Sequence, residues 1–240
     1  MRSALDGEAL LALWERALAQ PGPARGDALL QAVDGGVPTR TLGERNARLV
    51  EFHARVFGPE IELLSHCPAC GTAAQFSADC AALAVERPAA VAPSHRLAAH
   101  GHVIDFRLPD SADLTAASAQ DGEDDFARQL LQGCVIACTR DGAAVRMNDL
   151  PPALLDALSQ RMEALDPAAS VSFALACPQC ATHWDARLDL AQLLWQKVQA
   201  AAERLLLEID TLARSYGWTE GEVLRLSATR RAAYLQMAAS

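Results

Sequence analysis

Four cysteines carry the plainest chemistry in this chain. They stand in Cys67-Pro68-Ala69-Cys70 and in Cys177-Pro178-Gln179-Cys180, 110 residues apart. Each motif places two sulfurs at a fixed short spacing in a tight turn. Two such turns brought together supply four thiolates, the soft tetrahedral shell that suits one Zn2+ ion. The surroundings repeat as well: IELLSHCPACGTAAQFSADCAAL around the first motif and VSFALACPQCATHWDARLDLAQL around the second. In both, an apolar run leads into the motif, a mixed run leaves it, and an aspartate (Asp79, Asp189) opens an Ala/Leu stretch. Such self-similarity marks a repeated structural unit. Gly71 follows the first motif and tolerates the positive φ that these turns often need; Ala181 stands there in the second. His66 and His183 flank the motifs, but four thiolates already complete a shell, so both are read as bystanders. A site so filled leaves no open position for a substrate, which points to a structural metal.

A dithiol reading competes with the metal reading, because Cys-Pro-x-Cys also occurs in disulfide-exchange enzymes. There the first cysteine sits at the N-terminus of a long helix that activates it. Here a polar, strand-like stretch follows each motif. Cys80, Cys134 and Cys138 show no pairing pattern and read as small buried apolar residues. The acidic run Asp121, Glu123, Asp124, Asp125 reads as a solvated helix start. Phosphate loops, nucleophile elbows and zinc-protease helices are absent from the sequence.

The positioning elements follow from periodicity and punctuation. Leu10, Leu13, Trp14, Ala17 and Leu18 fall on one face of a helix over 5–19, which Pro21-Gly22-Pro23 ends. A short second helix is expected over 27–33. Thr41 to Glu44 form a capping box, in which the threonine accepts from the backbone and the glutamate reaches back. The helix they open turns Leu49, Val50, His53, Val56 and Phe57 inward, and Gly58-Pro59 closes it. Short strands flank each knuckle, a short helix runs from Asp79 to Val85, and 88–93 reads as a linker. A hairpin over 95–108 turns near His100-Gly101, and Asp141-Gly142 marks a second one. The span 110–125 reads as an exposed acidic loop with a short helical piece, and Phe126, Leu130 and Leu131 mark another helix. A helix starts near Asp149 with Leu154, Leu155, Leu158, Met162 and Leu165 inside. From Leu190 the residues Leu194, Val198, Ala201, Leu205, Ile209, Leu212 and Tyr216 make one unbroken apolar stripe on a helix of roughly 40 Å. Gly217 stops it, Thr219 and Glu222 cap a short helix, and Ser227 caps a last one.

Composition sets limits on function. Apolar content of 51% supplies a core and makes disorder an unsuitable default. A formal net charge of −9 argues against a general nucleic-acid binder, which shows a basic patch or stripe. The tail from Thr219 can be read as a helix-turn-helix with Arg225, Arg230 and Arg231 toward phosphates, but Glu220 and Glu222 stand beside those arginines. No apolar run is long enough to span a membrane, and the first residues carry acids inside their apolar run, unlike a signal peptide. Seven cysteines, an odd number without an export signal, read as reduced thiols and a cytoplasmic location.

The tail string EIDTLARSYGWTEGEVLRLSATRRAAYLQM resembles the baseplate hub assembly chaperone family of contractile-tail, T-even-like phages and of related contractile injection systems. Members end in a long helix, a Tyr/His-x-Trp-Ser/Thr-x-x-Glu turn, and a helix with paired basic residues and Tyr-Leu. Tyr216, Trp218, Thr219, Glu222, Arg230, Arg231, Tyr234 and Leu235 fill that pattern. The two knuckles, and LGERNARLVEFHARVFGPEIE before the first, look like the injection-system branch. The resemblance implies a non-enzymatic protein acting in assembly with tail, hub or baseplate proteins. Trp218 and Tyr234 are the expected anchors for such a partner, because large aromatics often anchor interfaces. Arg230 and Arg231 are the expected rim contacts to an acidic partner surface.

The expected architecture is α+β and predominantly helical, with a zinc ribbon assembled from the two distant knuckles. Residues 1–60 form an N-terminal helical region, and 61–80 with 171–190 the halves of the ribbon. Residues 81–170 are an α/β insertion between those halves, and 191–240 the long helix with its short helical tail.

Overall fold

The computed structural model describes residues 5–35, 37, 39–83, 92–119 and 122–239. The chain starts with α1 (Gly7–Leu18), α2 (Arg25–Asp34) and α3 (Leu42–Val56). Asp6 caps α1 by accepting from the Ala9 N–H at 2.8 Å. The inward face of α1 is Leu11, Leu13 and Ala17, whereas Leu18 is exposed. The sequence face is thus rotated, because the Leu11 side packs under the C-terminal elements. Thr41 Oγ1 accepts from the Glu44 N–H at 3.1 Å. Glu44 returns to the Arg40 N–H at 2.9 Å, one residue earlier than a capping box requires. Leu49, Val50 and His53 are buried on α3 as expected, together with Phe52.

A hairpin follows, β1 (Glu60–His66) with β2 (Ala73–Asp79), antiparallel with His66 opposite Ala73. It leads into the short α4 (Cys80–Leu83). The expected extension of that helix to Val85, and most of the 88–93 linker, lie outside the described residues. The inserted segment opens with β3 (His95–Ala99) and β4 (His102–Phe106), turning at His100 and Gly101, both at positive φ. Two helices follow: α5 (Ser111–Ala117), the short helical piece expected within 110–125, and α6 (Glu123–Cys134), which carries Phe126, Leu130 and Leu131 and starts within the acidic run. The acids there do more than solvate. Asp110 and Asp113 form a reciprocal capping box on α5, and Asp113 is buried against Arg107 through bonds of 2.6 and 2.7 Å. A Cβ on Gly133 of α6 would stand 2.5 Å from Asp113 Oδ1, so that close approach requires glycine. Of the acidic run, Asp121 lies outside the described residues, as do the side chains of Glu123 and Asp124; Asp125 is exposed.

Helix α6 passes directly into β5 (Val135–Arg140), which turns at Asp141-Gly142 into β6 (Ala143–Ala144). These strands complete a sheet of order β3-β4-β5-β6. Its inner face, with Ile104, Phe106 and Cys138, packs against Leu154, Leu158 and Met162 of α7 (Pro152–Leu165). Proline supplies both Ncap and N1 of α7, and Asp149 instead pairs with Arg146 in a turn before it. Then come the second knuckle hairpin, β7 (Val171–Ala176) with β8 (His183–Leu188), and α8 (Leu190–Tyr216). The fold ends with α9 (Glu220–Leu224) and α10 (Ala228–Ala238).

The main core joins α1, α2 and α3, the N-terminal half of α8 and the inner faces of both knuckle hairpins. Fully buried leucines and phenylalanines such as Leu13, Leu49 and Phe52 each contribute about 1.5–3 kcal/mol of transfer free energy. A second core lies under the inserted sheet, and a third joins α1, the C-terminal half of α8 and the tail. The result is an α+β fold dominated by helix. Among the described residues, no helix is long and apolar enough to cross a membrane.

Candidate metal centre

Each knuckle is a closed turn built from the same bonds. In the first, the Cys67 N–H donates to Thr72 O (3.0 Å) and the Gly71 N–H donates to Cys67 O (2.9 Å). In the second, the Cys177 N–H donates to Thr182 O (2.9 Å) and the Ala181 N–H donates to Cys177 O (3.0 Å). Gly71 has φ 72° and Ala181 φ 58°, so both turns need a left-handed residue and the second forces it on alanine. Past the hairpins, Asp79 accepts from the Ala81 N–H (2.8 Å) and Asp189 from the Gln192 N–H (3.0 Å), each opening the helix that follows.

Contacts beyond the cysteines also join the two knuckles. Phe76 and Phe173 meet edge to face with centroids 5.2 Å apart, and Trp184 Nε1 donates to Ser65 Oγ at 3.2 Å. Behind the hairpins, Asp166 accepts from the Gly43 N–H (2.9 Å) at the start of α3. Asn46 Nδ2 donates to the carbonyls of Ala168 and Ala169, at 2.9 and 3.1 Å. The entrance to the second hairpin is therefore tied to the helix that precedes the first.

The outcome is a cluster of Cys67, Cys70, Cys177 and Cys180, whose sulfurs all lie within 4.8 Å of one another. Cys67 and Cys180 are 3.6 Å apart and Cys70 and Cys177 3.5 Å, both across the hairpins. A tetrahedral ion with metal–sulfur bonds of about 2.3 Å has sulfur–sulfur edges of about 3.8 Å. The four residues thus fit a metal ion in number, donor type and spacing. Cys67 and Cys177 are buried, while Cys70 and Cys180 face solvent. The Thr72 hydroxyl and N–H lower the Cys70 thiol to about 6, helped by the neighbouring thiols. The Thr182 hydroxyl and N–H likewise lower Cys180. Burial pushes Cys177 up to about 11, against backbone N–H groups of its own knuckle. His66 and His183 are not members of the cluster. Thr72 and Thr182 were missed as site residues, although each stands two positions past its knuckle and the alignment of the two halves displays them.

The other cysteines are remote from this chemistry. Cys80 is buried 3.6 Å from His53 Nδ1, and burial raises its thiol. Cys134 is pushed up to about 12 by burial beside Asp113, and Cys138 lies in the core of the inserted sheet.

The expected partner-binding residues sit at the far end of α8. Tyr216 stacks on Trp218 at 4.8 Å, Trp218 meets Tyr234 edge-on at 4.8 Å, and the Tyr216 hydroxyl donates to Tyr234 O at 3.2 Å. Thr219 and Glu222 form the capping box of α9. Arg230 is exposed. Arg231 corrects the sequence reading of a basic rim pair. It donates to Glu208 of α8 (2.9 Å) and to Leu226 O (3.2 Å), and only 13% of its side chain is accessible. It is a strut between α8 and α10.

Compared with known proteins, the chain matches no family model, no curated protein and no solved structure.

Proposed function

We propose that this chain is a non-enzymatic assembly factor for the baseplate or hub of a phage-like contractile tail or injection system, held together by a structural zinc. The ion assigned to the four-sulfur cluster is Zn2+, and the two knuckle hairpins with it form a zinc ribbon in two halves. Zinc bound there supplies a fixed dication that four thiolates enclose, with no coordination position left for a substrate. Cys67 and Cys177 hold it from the buried side, Cys70 and Cys180 from the solvent side. Reduced thiols of this kind suit the cytoplasm.

The observation that carries the assembly reading is the unity of the tail. The residues on which the resemblance rests are not scattered: Tyr216, Trp218 and Tyr234 pack as one aromatic group, Thr219 and Glu222 cap α9, and Arg231 braces α10. That unit packs against the C-terminal half of α8, a helix roughly 40 Å long, whereas the knuckle hairpins pack against its N-terminal half. An exposed cation, Arg230, and a half-open aromatic group there suit an acidic partner surface. The test is a pull-down from cells expressing the whole tail gene cluster, with wild type and Arg230→Glu, followed by mass spectrometry. Wild type is expected to recover a hub or baseplate protein, and Arg230→Glu less of it. Recovery of no tail protein by wild type contradicts the reading.

One observation favours a second reading, a dithiol oxidoreductase: Cys70 is exposed and its thiol sits at about 6. Turnover of a disulfide substrate by the zinc-loaded protein, lost in Cys70→Ser as well as in Cys67→Ser, would establish it. Binding to DNA that falls steeply with salt would instead favour a zinc-ribbon regulator.

A further inference from the structure

The four thiolates divide into an inner and an outer pair, and the outer pair has a dedicated partner. Cys70 and Cys180, the solvent-facing sulfurs, each lie 3.3 Å from a threonine hydroxyl, Thr72 and Thr182. Both threonines are half-buried. Each is also the residue whose carbonyl closes the knuckle by accepting from Cys67 or Cys177. One residue therefore holds the turn through its backbone and the exposed sulfur through its side chain, and the arrangement occurs twice, 110 residues apart. The inner Cys177 has different support: its Sγ accepts from the Gln179 N–H at 3.4 Å, and among the described residues no hydroxyl serves it.

We infer that Thr72 and Thr182 are positioning residues for the metal, each donating its hydroxyl hydrogen to the outer thiolate of its knuckle. This inference rests on the zinc reading above. A four-thiolate zinc site carries two net negative charges on sulfur, and the outer sulfurs are where water and competing chelators arrive. As thiols the two sulfurs donate to these hydroxyls; as metal-bound thiolates they can only accept, so each hydroxyl becomes a donor at 3.3 Å that spreads the charge and orients the sulfur lone pairs toward the ion. Partners of this second layer affect metal affinity by about 10- to 100-fold. Valine keeps the shape of threonine and removes the donor; serine keeps the donor and removes a methyl.

The experiment compares wild type with the double variants Thr72→Val/Thr182→Val and Thr72→Ser/Thr182→Ser. Thr211→Val, on α8 remote from the knuckles, is the control; its hydroxyl donates to Leu207 O. Zinc affinity is read by competition with a chromophoric chelator, and the thiolate-to-metal charge-transfer band is read after loading with Co2+. The valine pair is expected to bind zinc about 10- to 100-fold more weakly and to shift the Co2+ band. The serine pair and Thr211→Val are expected to behave as wild type. Equal affinities for the valine pair and wild type overturn the inference. So does equal weakening by valine and serine, because that assigns the effect to packing. Wild type that binds no zinc overturns the zinc reading itself, and the two failures are distinct on the same assay.

Discussion

At the scale of single residues, the two knuckles differ where their backbone demands are the same. Both turns need a left-handed residue; Gly71 meets the demand freely, and Ala181 meets it at φ 58°. An L-residue with a Cβ is disfavoured there by about 1–2 kcal/mol, partly offset by the greater chain entropy glycine loses. Ala181→Gly is therefore expected to stabilise the protein by about 0.5–1 kcal/mol, and Gly71→Ala to destabilise it by about 1 kcal/mol. Urea denaturation of both variants in their zinc-loaded forms checks the signs. The four clustered cysteines were legible in the sequence because Cys-x-x-Cys is a spacing, and spacing survives without coordinates. The threonines stand at matching positions in the two halves, but a hydroxyl two residues past a knuckle has meaning only once the turn folds it back on the sulfur. Arg231 was misread for a related reason. A basic pair reads as surface, and nothing in the string announces that Glu208, a full helix earlier, stands opposite one member.

Among the elements, local punctuation was the most legible signal. His100-Gly101 and Asp141-Gly142 turn hairpins where their left-handed preferences placed them, and Gly217 ends α8 at φ 69°. The span 110–125 was legible only in outline: a short helical piece and the helix marked by Phe126 are both present as α5 and α6, but the buried, capped Asp113 that fixes α5 was not foreseen. Its decisive bond, Asp113 to Arg107, comes from a residue on the preceding strand side of the chain. The tail likewise depends on distant contacts. Helices as short as α9 and α10 are marginal alone, so the Arg231–Glu208 pair and the aromatic group must hold them on α8. Arg231→Glu sets a carboxylate against Glu208 and is expected to cost about 2–3 kcal/mol. Arg230→Glu, on an exposed position, is expected to stay within about 0.5 kcal/mol of wild type. Thermal unfolding separates them: in a chain of this length each kcal/mol shifts Tm by about 2–4 °C. Equal shifts for the two variants contradict the strut. The contrast also makes Arg230→Glu alone, and not the double reversal, the appropriate probe of partner binding.

The whole molecule is two similar units joined across a long insertion, with one sulfur cluster where they meet. Each unit runs helix, knuckle hairpin, helix: α3, β1, β2 and α4 in the first, α7, β7, β8 and α8 in the second. Their hairpins face each other, whereas α3 packs in the main core and α7 under the inserted sheet. Repetition was visible in the sequence, but this divergence was not, because it depends on which apolar face each helix finds. Asp166 and Asn46 hold the units together behind the hairpins. The central claim is that one zinc joins the two halves. Native mass spectrometry of the purified protein, beside Cys67→Ser, Cys70→Ser, Cys177→Ser, Cys180→Ser and the control Cys138→Ser, tests it directly. The account predicts one zinc per chain in wild type and Cys138→Ser, with metal lost or much weakened in each of the other four. Two zinc ions per chain, or none with all four thiols open to alkylation, would contradict it.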